Sequence, residues 1–475
     1  MNTQTDALSE NTGKPKLSHA GLLIASQVVR SSLRLIFVLV VARALGPKEL
    51  GAYALLFTVV EFLAMASGAG YADYLTREAA RDASAGWGLA FQLLGLRVAI
   101  AIPVALVEIG VLAVMGYPHA VLAGTAWMAL TIVPRSLSEA VQGVLRGIHR
   151  YAIHLVIELV LGVSLVGGAA VIVLSHGQLG AAITVEVLAA LGAGLVAFAS
   201  ALKYRTKSLA WLSGSQLVKK GAVFNAYGLI ANLYDRLDVV LLSKLAGDYA
   251  TGIYSVAYRA VAMTQIIGYG VLYSLLPTLS RDAFGHVDQR RVQRAVGLLL
   301  NIAFFLVLGT IVFGTPAIRL ILGPQYAESA SALKILIWAV IIRYINYGMN
   351  IGFLSAGREN IFVRTSLICL TVNLLGNLIL IPRFGWRAAA AMTIVTELVL
   401  LVQNVYWTRR SLRVVARPWA GARTLLAFGI GLAAAWVGDR LGSPLLVGTV
   451  CLGCFAAYLV GTGMLNEFAA VWDAT

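Results

Sequence analysis

Arg30 and Arg34 stand four residues apart in an apolar stretch, and Gln27 and Ser31 complete the i, i+3, i+4, i+7 pattern of one helical face. Two guanidinium groups one turn apart suit a diphosphate, because each planar fork holds phosphate oxygens bidentately. No acid lies on the same stretch, so either Asp235 or a ligand must satisfy Arg34. Asn225, Asn232, Asp235 and Asp238 form a second polar stripe, and Arg343, Asn346 and Asn350 a third. Their amides suit sugar hydroxyls. A carboxylate withdrawn from water can take up a proton or hold a cation. Asp235, Asp238, Glu61 and Glu397 are therefore the expected coupling residues, for H+ or Na+, with charge balance for Arg34 and Arg236 as the plainer role of the two aspartates. Arg135 and Glu139, spaced i, i+4, are expected to satisfy each other. The sequence asks for no cofactor: the six His are scattered, and Cys451 and Cys454 read as small packing residues within a span.

These groups lie in a chain with little polarity elsewhere. Of its 475 residues, 59% are hydrophobic and 12% are charged, and the mean hydropathy is +0.82. A soluble domain carries about 25% charged residues, so a soluble cytosolic enzyme is excluded. Apolar runs recur along the whole chain and give about fourteen candidate spans at roughly 20 residues each. An ionisable side chain inside a span costs about 2.5–3.5 kcal/mol on insertion scales. A chain that keeps Arg30, Arg34, Arg97, Arg135, Arg236, Arg259 and Arg343 with Glu61, Glu108, Glu139, Glu158, Glu186, Asp235, Asp238 and Glu397 needs a polar interior. The net charge of +15 fits the positive-inside rule better than nucleic-acid binding, since the basic clusters fall on alternate connections. Both termini are then cytoplasmic. The polar tail before Leu17 and the long first apolar run argue against a cleavable signal.

An internal repeat organises the spans. Leu45-Gly46-Pro47-Lys48-Glu49-Leu50-Gly51-Ala52-Tyr53 recurs as Ala246-Gly247-Asp248-Tyr249-Ala250-Thr251-Gly252-Ile253-Tyr254. The copies enter the membrane in the same direction, the parallel repeat used for alternating access. The expected fold is an all-α polytopic membrane protein: two six-helix lobes around a central cavity, plus two accessory helices. Its segments are a cytoplasmic tail (1–17), an N-lobe (18–202), a cytoplasmic linker (203–220), a C-lobe (221–410) and the accessory pair (411–475).

Ala42-Arg43-Ala44-Leu45-Gly46-Pro47 through Tyr53-Ala54, then Tyr74-Leu75-Thr76-Arg77-Glu78, resembles the opening of the polysaccharide flippases of the multidrug/oligosaccharidyl-lipid/polysaccharide exporter superfamily. Tyr234-Asp235-Arg236-Leu237-Asp238 and Gly252-Ile253-Tyr254-Ser255-Val256-Ala257-Tyr258-Arg259 are similar to that family's second half. The resemblance covers about residues 17–410. It implies translocation of an undecaprenyl-diphosphate-linked oligosaccharide across a bacterial inner membrane, without catalysis, beside a polysaccharide polymerase and a chain-length regulator. The related lipid II flippases carry an essential arginine ahead of a Leu-Pro-Ser-Leu-Ser stretch. Here Arg259 and Leu276-Pro277-Thr278-Leu279-Ser280 match. Their Arg-Asp pair is absent, since Leu35 follows Arg34, which favours an O-antigen, capsule or exopolysaccharide unit over lipid II. Arg30, Arg34, Arg259, Arg343, Asn232 and Asn346 are the implied substrate-binding set. A drug antiporter would line its cavity with acids and aromatics, and a glycosyltransferase would need a larger outer loop than 319–329 supplies.

Overall fold

The computed structural model describes residues 17–68, 71–203, 214–280, 289–355, 359–412, 422–440 and 444–461. All regular structure among them is helical. Among the described residues, seven stretches are long and apolar enough to cross a membrane: Ala83–Val114, His119–Gly147, Tyr151–Leu174, Leu179–Lys203, Val296–Leu322, Ile361–Phe384 and Trp386–Arg410. Backbone groups in hydrocarbon must bond within their own segment, which is why an apolar chain of this length resolves into helices. Residues 204–213 of the linker expected at 203–220, and the C-terminal 462–475, lie outside the described residues.

The chain forms two compact units, Met1–Leu45 with Leu56–Leu229, and Gly46–Leu55 with Ile230–Thr475. Helix α1 (Leu17–Ala66) opens the chain, bent at Gly46, where φ is 76° and ψ is 173°. Pro47 then begins the next helical run, where its missing N–H costs nothing. α2 (Tyr71–Arg81) follows. It was expected as a plain connection; instead its Tyr71, Tyr74, Leu75 and Ala79 share one buried face while Asp73, Arg77 and Arg81 stay exposed. The first unit continues with α3 (Ala83–Val114), α4 (His119–Ala129), α5 (Ile132–Gly147), α6 (Tyr151–Leu174) and α7 (Leu179–Lys203). The buried face of α2 packs with Trp87, Leu93, Val141, Val144 and Ile157.

Asp82 caps α3: its carboxylate accepts the Ser84 backbone N–H at 2.8 Å and the Ser84 hydroxyl at 2.7 Å. The Ser84 hydroxyl, aided by backbone N–H groups, holds the Asp82 carboxyl below the usual carboxylate range against the pull of partial burial. Asp82→Ala is expected to lower stability by about 1 kcal/mol, read as an earlier thermal unfolding midpoint in detergent. Because the folded pKa is the lower one, the cap's contribution is present at neutral pH. It is lost as pH falls through the folded value, so the gap between wild type and variant closes in acid.

In the second unit, α8 (Gly214–Ser280) repeats the bend of α1 at Gly247, with φ 83° and ψ 170°. Only glycine takes this left-handed backbone without strain. α9 (Gln289–Leu322), α10 (Ala327–Leu336), α11 (Trp338–Ser355), α12 (Glu359–Phe384) and α13 (Trp386–Trp407) follow, then α14 (Ala422–Arg440) and α15 (Pro444–Gly461). α14 and α15 pack on each other and on α9. Segment Gly46–Leu55 crosses the start of the Gly247 repeat at glycine contact. A Cβ on Gly51 would overlap the Asp248 carbonyl, and one on Gly252 would overlap the Pro47 carbonyl. The reciprocal overlap is that of a local two-fold axis relating the two copies.

Candidate functional site

In the first unit, arginines on α1, α3 and α5 meet glutamates from helices distant in sequence. Arg34 Nη1 lies 2.7 Å from Glu186 Oε1 and donates to its other oxygen at 2.9 Å. Its guanidinium also sits 4.6 Å from the Phe57 ring centre and 5.5 Å from Phe37. That is a held cation, and the partner is Glu186, where the sequence offered Asp235 or a ligand. Arg30, one turn earlier, donates to Gln27 at 2.6 Å and stands 3.8 Å from Glu158. Its side chain is 49% exposed while Glu158 is 5% exposed. Glu158 Oε1 also accepts from Gln142 at 3.1 Å.

Two more pairs correct the local expectation on α5. Arg135 bonds Glu61 at 2.5 Å, and Glu139 bonds Arg97 at 2.9 Å, so residues one turn apart look outward to different helices. Arg97 is 2% exposed and could not be left without a counter-charge. Glu108 joins none of these pairs; its Oε2 has no hydrogen-bond partner among the described residues.

In the second unit, Arg343 Nε donates to Glu397 Oε1 at 2.7 Å, and both side chains are buried. Asn346 donates to Glu397 Oε2 at 3.0 Å and to its backbone carbonyl at 3.1 Å, and Asn404 donates to Asn346 at 3.2 Å. This chain of bonds fixes Arg343 at the edge of a small polar cleft lined by Tyr234, Asp235, Asp238, Tyr258, Arg343, Asn373, Thr393 and Thr396. The cleft offers about 10 Å³ to a water-sized occupant, roughly one water or one bare cation. Asp238 accepts from the Tyr254 hydroxyl and, at 2.9 Å, from the Val239 N–H. Tyr254 also meets Thr393 at 3.2 Å. Asn232 and Arg259 are half-buried, and the side-chain oxygen of Asn232 has no hydrogen-bond partner among the described residues. The side chains of Asn225 and of 276–280 lie outside the described residues.

Tyr254, Tyr258, Asn373, Thr393 and Thr396 were not among the expected site residues. A polar count along α12 and α13 would have raised the last three, since Asn373 and Asn377 are spaced i, i+4, and Thr393, Thr396 and Glu397 share a face.

Residues 40–331 match the family described as polysaccharide biosynthesis protein. The chain is 20% identical over 398 residues to a probable low-salt glycan biosynthesis flippase of Haloferax volcanii, covering 81% of this chain and 82% of that one. It is 22% identical over 177 residues to a capsular polysaccharide biosynthesis protein of Staphylococcus aureus, covering 36% of this chain and 44% of the relative. Among solved structures, the lipid II flippase in an inward closed conformation superposes with a TM-score of 0.68 at 12% identity, over 94% of this chain and 100% of that one. An inward-facing multidrug resistance transporter superposes at 0.65 and 13% identity, over 81% of this chain and 98% of its own.

Proposed function

Because the chain belongs to the polysaccharide biosynthesis protein family, we propose that this multi-pass membrane flippase carries an undecaprenyl-diphosphate-linked oligosaccharide repeat unit. The repeat unit would move from the cytoplasmic to the periplasmic leaflet of a bacterial inner membrane, for O-antigen, capsule or exopolysaccharide assembly. The lipid tail stays in the bilayer while the chain shelters the diphosphate and sugars. The observation that carries this reading is the half-exposed Arg30, one turn from Arg34 on α1. A guanidinium kept accessible inside a membrane protein needs an anion to justify its insertion cost. Arg30 makes first contact with the diphosphate and Arg34 completes the fork. Arg343 and Asn346, bonded to Glu397, frame the cleft of Asp235 and Asp238, which fits a proton or Na+ as coupling ion by its size and oxygen lining.

Complementation tests this. Deleting the gene is expected to abolish the surface glycan and trap its lipid-linked unit inside. Arg30→Ala, expressed and inserted normally, is expected to lower export about 10–100-fold, the worth of one charge-assisted contact, with Arg30→Lys retaining part. A deletion strain with intact surface glycan and new drug sensitivity would instead identify an antiporter.

A further inference from the structure

One arginine near Arg30 belongs to no stripe with it, because it stands on another helix. We infer that Arg146 is a further substrate contact, an arm that takes phosphate oxygens on the side of Arg30 away from Arg34. The inference rests on the diphosphate reading of Arg30 and adds one residue to that same site.

The packing of α1, α5 and α6 puts Arg146 there. α5 and α6 join through a short turn, in which the Arg150 N–H donates to the Leu145 carbonyl at 2.8 Å, so they run antiparallel. Gln142 on α5 meets Glu158 on α6 at 3.1 Å. One turn nearer the connection on each helix stand Arg146 and His154, which take the equivalent places. Arg146 and Arg30 both lie within electrostatic reach of His154 and of Glu158. α1 runs beside α6 in the same direction, since Arg30 stands 3.8 Å from Glu158 and a Cβ on Gly162 would overlap Leu33. The order along the wall is therefore Arg146 with His154, then Arg30 with Glu158, then Arg34. Each step is one helical turn, roughly 5.4 Å.

Arg146 is also the easiest of the three to recruit. Its Nη2 reaches Asp73 at 3.4 Å, and Asp73 is 81% exposed, so water can replace the arginine when a ligand arrives. Such a solvated pair holds its partners weakly. The Nε of Arg146 has no hydrogen-bond partner among the described residues, and neither has the Nδ1 of His154, a side chain only 7% exposed. Arg34 is held more firmly, closed on Glu186 at 2.7 Å and lying against Phe37 and Phe57. Asp73 is kept in place by α2, which touches α5 at a glycine. Thr76 donates to the Gly143 carbonyl at 3.0 Å, and a Cβ on Gly143 would overlap the Ala72 carbonyl. The amphipathic α2 thus sets against Arg146 an acid that a doubly charged ligand can displace. A guanidinium accepts carboxylate and phosphate oxygens in the same geometry, so the exchange needs no rearrangement of the arginine.

The test titrates the purified full chain in detergent with two probes, farnesyl-diphospho-N-acetylglucosamine and farnesyl monophosphate, and reads affinity by calorimetry. Arg146→Gln is expected to weaken the diphosphate probe about 10-fold or more, the worth of one charge-assisted contact. The monophosphate probe, whose single phosphate stays on Arg30, is expected to bind almost as before. Arg146→Lys is expected to keep part of the diphosphate affinity without the planar fork. Asp73→Asn, which removes the competing acid, is expected to tighten the diphosphate probe, whereas a merely structural pair would give equal or weaker binding. Both positions belong to an exposed pair, so neither change strands a buried charge, and a melting profile shows each variant folded. Equal weakening of both probes by Arg146→Gln would mean a general field effect and overturns the contact. No weakening of either overturns it too, while loss of binding in Arg30→Ala would leave the flippase reading standing. A folded wild type that binds neither probe removes the diphosphate reading, and the added arm with it.

Discussion

Glu397→Ala is expected to destabilise the chain by about 3–5 kcal/mol, enough to deplete the folded protein from the membrane, because it strands a buried arginine. Arg343 is 5% exposed and its Nη1 has no hydrogen-bond partner among the described residues, so Glu397 supplies the only charge bonded to it there. The substitution also removes two acceptors from Asn346, and through Asn346 loosens Asn404. Against a typical total of about 5–15 kcal/mol, that is a large fraction. Size-exclusion profiles of fluorescently tagged protein after graded heating would show the monodisperse peak lost at lower temperature. The double variant Arg343→Met with Glu397→Met is expected to recover most of the loss, since a well-packed apolar pair avoids both desolvation penalties. An unchanged melting profile for Glu397→Ala would mean the pair is not formed.

Gly51→Ala and Gly252→Ala set two effects against each other. Helix propensity favours alanine by up to about 1 kcal/mol. Packing opposes it, because the added Cβ would overlap a backbone carbonyl, Asp248 for Gly51 and Pro47 for Gly252, and a backbone carbonyl has no rotamer to escape into. Overpacking costs about 1–3 kcal/mol where side chains can adjust, so packing wins and the loss is expected at the top of that range or beyond it. Gly270→Ala, with nothing near its Cβ, is the matched control and is expected to be neutral or slightly stabilising. Equal melting temperatures for all three variants would show that the two repeats do not meet at these glycines.

What the sequence revealed and what it hid follow from the range of the interactions involved. The helical class was legible because hydrocarbon forces backbone bonds to close within a segment. The repeat was legible because Gly46 and Gly247 impose the same bend on both copies, and a left-handed backbone leaves a glycine behind it. The arginines were visible as anomalies in apolar runs. Their partners were not. Arg34 finds Glu186 and Arg135 finds Glu61 across large sequence separations, and one helical face carries no record of which distant helix packs on it. The i, i+4 pairing of Arg135 with Glu139 was the reasonable local choice, and it lost because each residue had a better-placed partner on another helix. The amphipathic α2 was missed because the polar stretch that holds it resembles an ordinary connection.

The membrane voltage acts on a carrier only through charge that the carrier moves, at about 2.3 kcal/mol per elementary charge per 100 mV. The pairs Arg30–Glu158, Arg34–Glu186, Arg97–Glu139 and Arg135–Glu61 each sum to zero. However far the helices bearing them travel through the field, those pairs perform no net electrical work. These four arginines are therefore not voltage sensors, and the field is left to act on whatever charge travels unmatched.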